Sequence, residues 1–237
     1  MSNRNEKLIF LSILAGQCGR YKDMVTYMEE VVKSKNEDLS LDERNLLFNA
    51  YKGRIWSNYQ VLVKLKAKNI IASKKGESHN LNYIREYKNA VDKDAEELCY
   101  RINNFIDENV IPKSQSDESK SFCYYNKAGY WKFLFEYGNE NKLNEYSEKC
   151  LTDYYKALEF SKNLDFKNDV KLNIMYQLSY ILHEKIGKTE EGFKLAEEAY
   201  TKGKEALNNI AQEDIDTFSD AISTLNLIEE NYYCWKV

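Results

Sequence analysis

Leu8, Leu11, Leu14, Ala15 and Cys18 recur at the spacing of one helix face, and after Gly19 the spacing resumes at Tyr21, Met24, Met28 and Val31. This pattern predicts two antiparallel helices. Ser40-Leu41-Asp42-Glu43 has the form of a capping box, in which the Ser40 hydroxyl accepts from the Glu43 amide and the Glu43 carboxylate accepts from the Ser40 amide. A third helix is expected from there through Leu46, Leu47, Ala50, Ile55, Leu62 and Leu65. It should dissolve into a mobile polar loop over Ala72–Ser78, with His79 in the same loop. A fourth helix, from about Leu81, carries Tyr87, Val91, Leu98, Ile102 and Phe105 until Ile111-Pro112 stops it. Beyond Ser114 the aromatic density rises, with Phe122, Tyr124, Tyr125, Tyr130, Trp131, Phe133, Phe135 and Tyr137 on one helix, too many for all of them to be core. Tyr146, Cys150, Tyr154 and Leu158 make the next stripe, and Val170 to Ile186 another. Gly187-Lys188-Thr189 reads as a helix stop followed by a cap, ahead of Phe193, Ala196, Tyr200 and Leu207. A last helix runs from Phe218 to Trp235. Short connections and the absence of a low-complexity tract or linker imply one continuous all-α domain over 1–237, with a helical-repeat array as the rival architecture.

Composition narrows the reading. One proline and nine glycines in 237 residues cannot punctuate the turns that a sandwich or an α/β fold needs roughly every 8 to 12 positions. A net charge of -4 lacks the basic surplus of a nucleic-acid binder. The five cysteines (Cys18, Cys99, Cys123, Cys150, Cys234) include no CxxC pair and are odd in number, so they suggest neither a disulfide framework nor a zinc site, and point to a reducing, cytosolic or nuclear setting. The apolar run Leu8–Ala15 behind Arg4 and Lys7 is too short to span a bilayer, lacks a small-x-small cleavage pattern, and reads as part of an amphipathic first helix. His79 and His183 are the only histidines, and no HExxH, phosphate loop, nucleophile elbow or acid–base carboxylate pair stands out. No catalytic residue, metal site, cofactor, nucleic-acid contact or membrane contact is expected.

The stretch Arg44-Asn45-Leu46-Leu47-Phe48-Asn49-Ala50-Tyr51-Lys52, with the Leu-Ser-Leu-Asp-Glu cap before it, resembles the first signature of the 14-3-3 family. Arg20-Tyr21-Lys22-Asp23-Met24, Ile84-Arg85-Glu86-Tyr87, Ile111-Pro112 followed by Glu118-Ser119-Lys120 and Phe122, and a last helix with Asn231 and Trp235 follow in the family's order. The resemblance covers essentially the whole chain and is remote in the second half. It implies nine antiparallel helices around a concave groove, with dimerisation and one groove wall in roughly 1–112 and the rest of the groove in 113–237. Its partners would be phosphoserine or phosphothreonine segments of other proteins.

A phosphoryl group of about -1.5 to -2 charge must exchange its hydration for fixed cations. The resemblance places Lys52 on the family's phosphate-binding lysine, but its arginine seven residues later falls on Tyr59, and its Arg-Tyr pair falls on Lys132-Phe133. Loss of one arginine removes an interaction of about 1.5–3 kcal/mol, or roughly 10- to 150-fold in affinity. Phosphate recognition is therefore expected to be weakened or altered. Helical spacing puts Arg54 on a different face from Lys52, and Lys127 is the other nearby cation. Peptide-groove positions fall on Trp56, Tyr125, Tyr176, Gln177, Glu184, Leu227, Asn231 and Trp235. An aromatic groove of Trp56, Tyr59, Tyr125 and Tyr176 would also suit unphosphorylated acidic or amphipathic segments. For a homodimer the resemblance pairs Arg20 with Asp94, sets Asp23 against Ala90 where the family has lysine, and puts Leu14, Cys18, Val61 and Tyr87 among the apolar contacts. The expected dimer is weaker than the family's or differently oriented, and the expected location is cytoplasmic, extending to the nucleus.

Overall fold

The computed structural model describes residues 2–208, 210 and 214–236, and among them the chain is all-α, with nine α-helices and no strand. Two compact units divide it. One takes the residues up to Gln115 together with Asn126–Cys150, and the other takes Ser116–Tyr125 and the residues from Leu151 on.

In the first unit, α1 (Ser2–Gln17) and α2 (Tyr21–Ser34) meet at a corner where Gly19 adopts φ +68°, a left-handed conformation that an L side chain resists. The chain then enters α3 (Leu41–Lys75) through the capping box read from the sequence. The Glu43 amide donates to the Ser40 hydroxyl at 3.3 Å and the Ser40 amide donates to the Glu43 carboxylate at 2.9 Å. Lys35 reinforces the cap by donating to both Glu43 oxygens at 2.6 and 2.9 Å. Burial raises the pKa of Glu43, but the bonds from Lys35 and Ser40 outweigh it and hold the carboxyl below its ordinary range. Contrary to the expected loop, α3 continues unbroken through Ala72–Lys75, with Ala72 buried. Only Gly76, left-handed at φ +69°, and Glu77 separate it from α4 (Ser78–Phe105), so His79 lies in the first turn of α4. The α4 path widens into a π turn over Ile106–Val110 and tightens to a 3₁₀ turn over Ile111–Lys113, where Pro112 ends it.

The helix α5 (Asp117–Tyr137) gives its first residues to the second unit and the remainder to the first, and α6 (Leu143–Ser161) likewise contributes to both. Met28, Leu47, Phe48, Tyr51, Leu62, Ile102, Leu134 and Tyr146 are buried in the first unit. In the second, α7 (Asp169–Tyr180), α8 (Thr189–Asn208) and α9 (Ser219–Trp235) pack around Leu172, Met175, Ala199, Tyr200, Ile228 and Tyr232. The α7 path becomes π-helical over Ile181–Ile186 and stops at Gly187, left-handed at φ +78°. There α8 comes so near that a Cβ on Gly192 would lie 2.7 Å from the Ser179 carbonyl oxygen and 2.8 Å from the His183 nitrogen.

Candidate functional site

In the first unit, Lys52, Trp56 and Tyr59 follow one another at i, i+4 and i+7 on α3 and so share a face. Lys52 is exposed and has no side-chain hydrogen bond or ion pair among the described residues. Desolvation by the surrounding protein lowers its pKa, a direction opposite to that an ion-paired lysine would show. Trp56, 54% exposed, stacks on Tyr59 with ring centroids 4.6 Å apart. Tyr59 meets the ring of Tyr137 edge-on at 4.8 Å, and Tyr137 lies over Phe133 at 6.1 Å. The two positions where the family pattern calls for arginine and tyrosine are thus joined in a run of four rings, and Phe133 has no polar atom on its ring to offer an anion. Lys132 is half-buried and sits 3.8 Å from Glu136, one turn along α5. This face offers one uncommitted ammonium group beside an exposed indole, and a second ammonium already shared with a carboxylate. Lys127 is buried and donates to Asp107 at 2.6 Å, so its charge is engaged elsewhere.

In the second unit, the π turn presents His183 and Glu184 to the end of α9. The Trp235 indole donates to Glu184 Oε1 at 2.7 Å, the same oxygen lies 2.9 Å from His183 Nδ1, and the imidazole stacks on the indole at 4.0 Å. One turn earlier on α9, Asn231 is half-buried, and its Nδ2 is shielded from solvent without a hydrogen-bond acceptor. An unmet buried donor costs about 1–3 kcal/mol, and an extended peptide's carbonyl is the kind of group that would relieve it. Leu227 is exposed on the same helix, and Gln177 is half-buried on α7. Tyr176 packs against the core of this unit, and burial raises its pKa. Tyr125 is drawn inward too: it packs against Ala157, Val170 and Ile174, meets Tyr154 edge-on at 6.2 Å, and has its pKa pushed up by burial to about 12.

The residues assigned to dimerisation lie at the surface of the first unit. Leu14 is 40% and Tyr87 60% exposed, Cys18 and Asp94 are exposed, and Val61 is half-buried. Phe10, Ile13 and Tyr83 add exposed apolar area that the sequence reading had not singled out. Within the chain Arg20 forms an ion pair with Asp23, three residues on. Sequence reasoning also missed Glu136, Tyr137 and His183. Tyr137 carried a signal, as part of an aromatic run too dense for the core alone.

These features coincide with a family-wide match. The model of the 14-3-3 protein family matches residues 11–236. The chain belongs to the 14-3-3 family. It is 27% identical over 239 residues to "14-3-3 protein 3" of Entamoeba histolytica, covering 99% of this chain and 97% of that protein. A "14-3-3 protein homolog" of Trichoderma harzianum is 26% identical over 98% of this chain and 87% of its own length. The "Checkpoint signal transducer rad25" of Schizosaccharomyces pombe is 26% identical over 99% of this chain and 86% of its own length.

Proposed function

We propose that this chain is a non-catalytic adaptor that docks phosphoserine or phosphothreonine segments of partner proteins, with Lys52 as its principal phosphate contact and reduced affinity. The observation that carries the reading is the uncommitted Lys52 ammonium on a face otherwise turned aromatic. Lys132 assists as a point charge that must leave or share Glu136. Within the second unit, Asn231 with its unmet amide, Gln177, Glu184, Leu227 and Trp235 are the candidates for holding a ligand backbone. A signalling role fits the name of the Schizosaccharomyces pombe relative, a checkpoint signal transducer. Among the described residues no helix is long and apolar enough to cross a membrane, and a cytoplasmic location is part of the same proposal. Fluorescence anisotropy with a phosphoserine peptide and its unphosphorylated twin tests the reading. The phosphorylated peptide should bind more tightly, Lys52→Glu should abolish the difference, and equal affinities would defeat it.

A second reading, binding of unphosphorylated acidic or amphipathic segments, is favoured by the open indole of Trp56 backed by Tyr59. Binding destroyed by Tyr59→Ala but indifferent to Lys132→Ala would select it. For assembly we propose a homodimer through the apolar surface around Leu14, Cys18, Val61 and Tyr87. The internal Arg20–Asp23 pair competes with an Arg20–Asp94 bridge between copies and weakens the association. Light scattering across a dilution series should show dissociation to monomer.

A further inference from the structure

The first unit contains a cavity of about 230 Å³ lined in part by Lys22, Thr26 and Glu29 from α2, Arg54 from α3, and Arg101 from α4. Lys22, Thr26 and Glu29 stand at i, i+4 and i+7, so one face of α2 supplies all three. In a chain of net charge -4, three cations and a single carboxylate facing one cavity make a local reversal of sign. The carboxylate is committed: Glu29 Oε1 accepts from Arg101 at 2.8 Å and from the buried Tyr51 hydroxyl at 3.1 Å. Arg101 and Glu29 therefore offset each other. The Lys22 ammonium and the Arg54 guanidinium have no side-chain hydrogen bond or ion pair among the described residues. Two positive charges without a protein counter-charge remain, the exposed Lys22 and the half-buried Arg54, the latter a planar fork suited to bidentate oxyanion binding. Arg54 stands out in the sequence as a cation near Lys52 but off its face, and it borders this cavity.

We infer that this cavity is a second anion site, distinct from the Lys52 face, that takes a small phosphate-class dianion between Lys22 and Arg54. Its volume, below the roughly 300–1,000 Å³ of pockets for drug-sized ligands, is sufficient for inorganic phosphate or a compact phosphomonoester. The Thr26 hydroxyl donates to the Lys22 carbonyl at 3.1 Å and borders the same space. Bound anion would join α2 to α3 and raise the stability of the first unit by mass action.

The test uses the full chain carrying Lys52→Glu, so that the proposed phosphopeptide face is silenced and failure of one reading is distinguishable from failure of the other. Thermal melts are recorded against inorganic phosphate and against glycerol 3-phosphate, with sodium chloride at equal ionic strength as the reference. A saturable rise in Tm beyond chloride is expected. Arg54→Gln and Lys22→Gln should each raise the apparent Kd about 10- to 150-fold, while Arg54→Lys, which keeps charge but loses the fork, should lie between. Tighter binding of the ester would identify an organic phosphate as the ligand, and equal or tighter binding of inorganic phosphate would identify the free ion; either supports the site. No rise beyond chloride, or a rise unchanged in both glutamine variants with their anion-free melts intact, would overturn it.

Discussion

Replacing Tyr59 with arginine tests in a single step whether position 59 and Lys52 face a common phosphate. The substitution removes a stack on Trp56 at 4.6 Å and an edge contact with Tyr137 at 4.8 Å. Each aromatic pair contributes about 0.5–1.5 kcal/mol, so the variant should lose about 1–3 kcal/mol of stability and melt at a lower temperature. It also places a guanidinium two turns from Lys52 on the same face of α3. A charge-assisted bond to phosphate is worth about 1.5–3 kcal/mol, so phosphoserine peptide should bind about 10- to 150-fold more tightly despite the weaker fold. Anisotropy titrations of wild type, Tyr59→Arg and Tyr59→Gln separate the two effects, because glutamine loses the stacking without supplying charge. The arginine variant's advantage should shrink as salt rises. If it binds phosphopeptide no better than the glutamine variant, Lys52 and position 59 do not face a common phosphate, and the assignment fails.

Two stability predictions follow from the packing. Glu43→Gln should destabilise the first unit by about 1.5–3 kcal/mol at neutral pH, because Lys35 loses its anionic partner and the cap keeps only a neutral acceptor. The folded pKa of Glu43 is depressed, so its contribution is fully present above the ordinary carboxylate range and is lost as pH falls through the folded pKa. Chemical denaturation at several pH values should therefore show the gap between wild type and variant closing in acid; a gap that stays constant would contradict the linkage. Gly192→Ala should cost the second unit more than about 2 kcal/mol, since its Cβ would collide with the backbone at Ser179 and His183 rather than with a movable side chain. Near-wild-type urea melts would show that α8 can retreat.

Local rules carried the sequence reading furthest where the cause was itself local. Ser40 and Glu43 formed both bonds of the predicted box, and Gly187 took the left-handed stop expected of it. Ala72–Lys75 misled because a polar run without apolar period looks like loop, although alanine and lysine are good helix formers and Ala72 finds a place in the core. For the candidate site the sequence offered positions to inspect rather than chemistry. Resemblance located Tyr59, Phe133 and Tyr125, but spacing says nothing about rings from α3 and α5 closing over one another, or about Tyr125 turning into the packing of its own unit. His183 belongs to no motif in the sequence, and its contact with Trp235 depends on a π turn and on a residue more than fifty positions away.

The three tryptophans sit in three unlike surroundings: Trp56 holds its indole in water, Trp131 is buried beneath the Lys149 ammonium at 4.9 Å, and Trp235 lies against an imidazole. Their emission is therefore separable in principle by quencher access, and a soluble quencher reaches the first of them most readily. A ligand bound at Lys52 as proposed would sit one helical turn from that indole, so loss of quencher access to Trp56 would report occupancy without an attached dye.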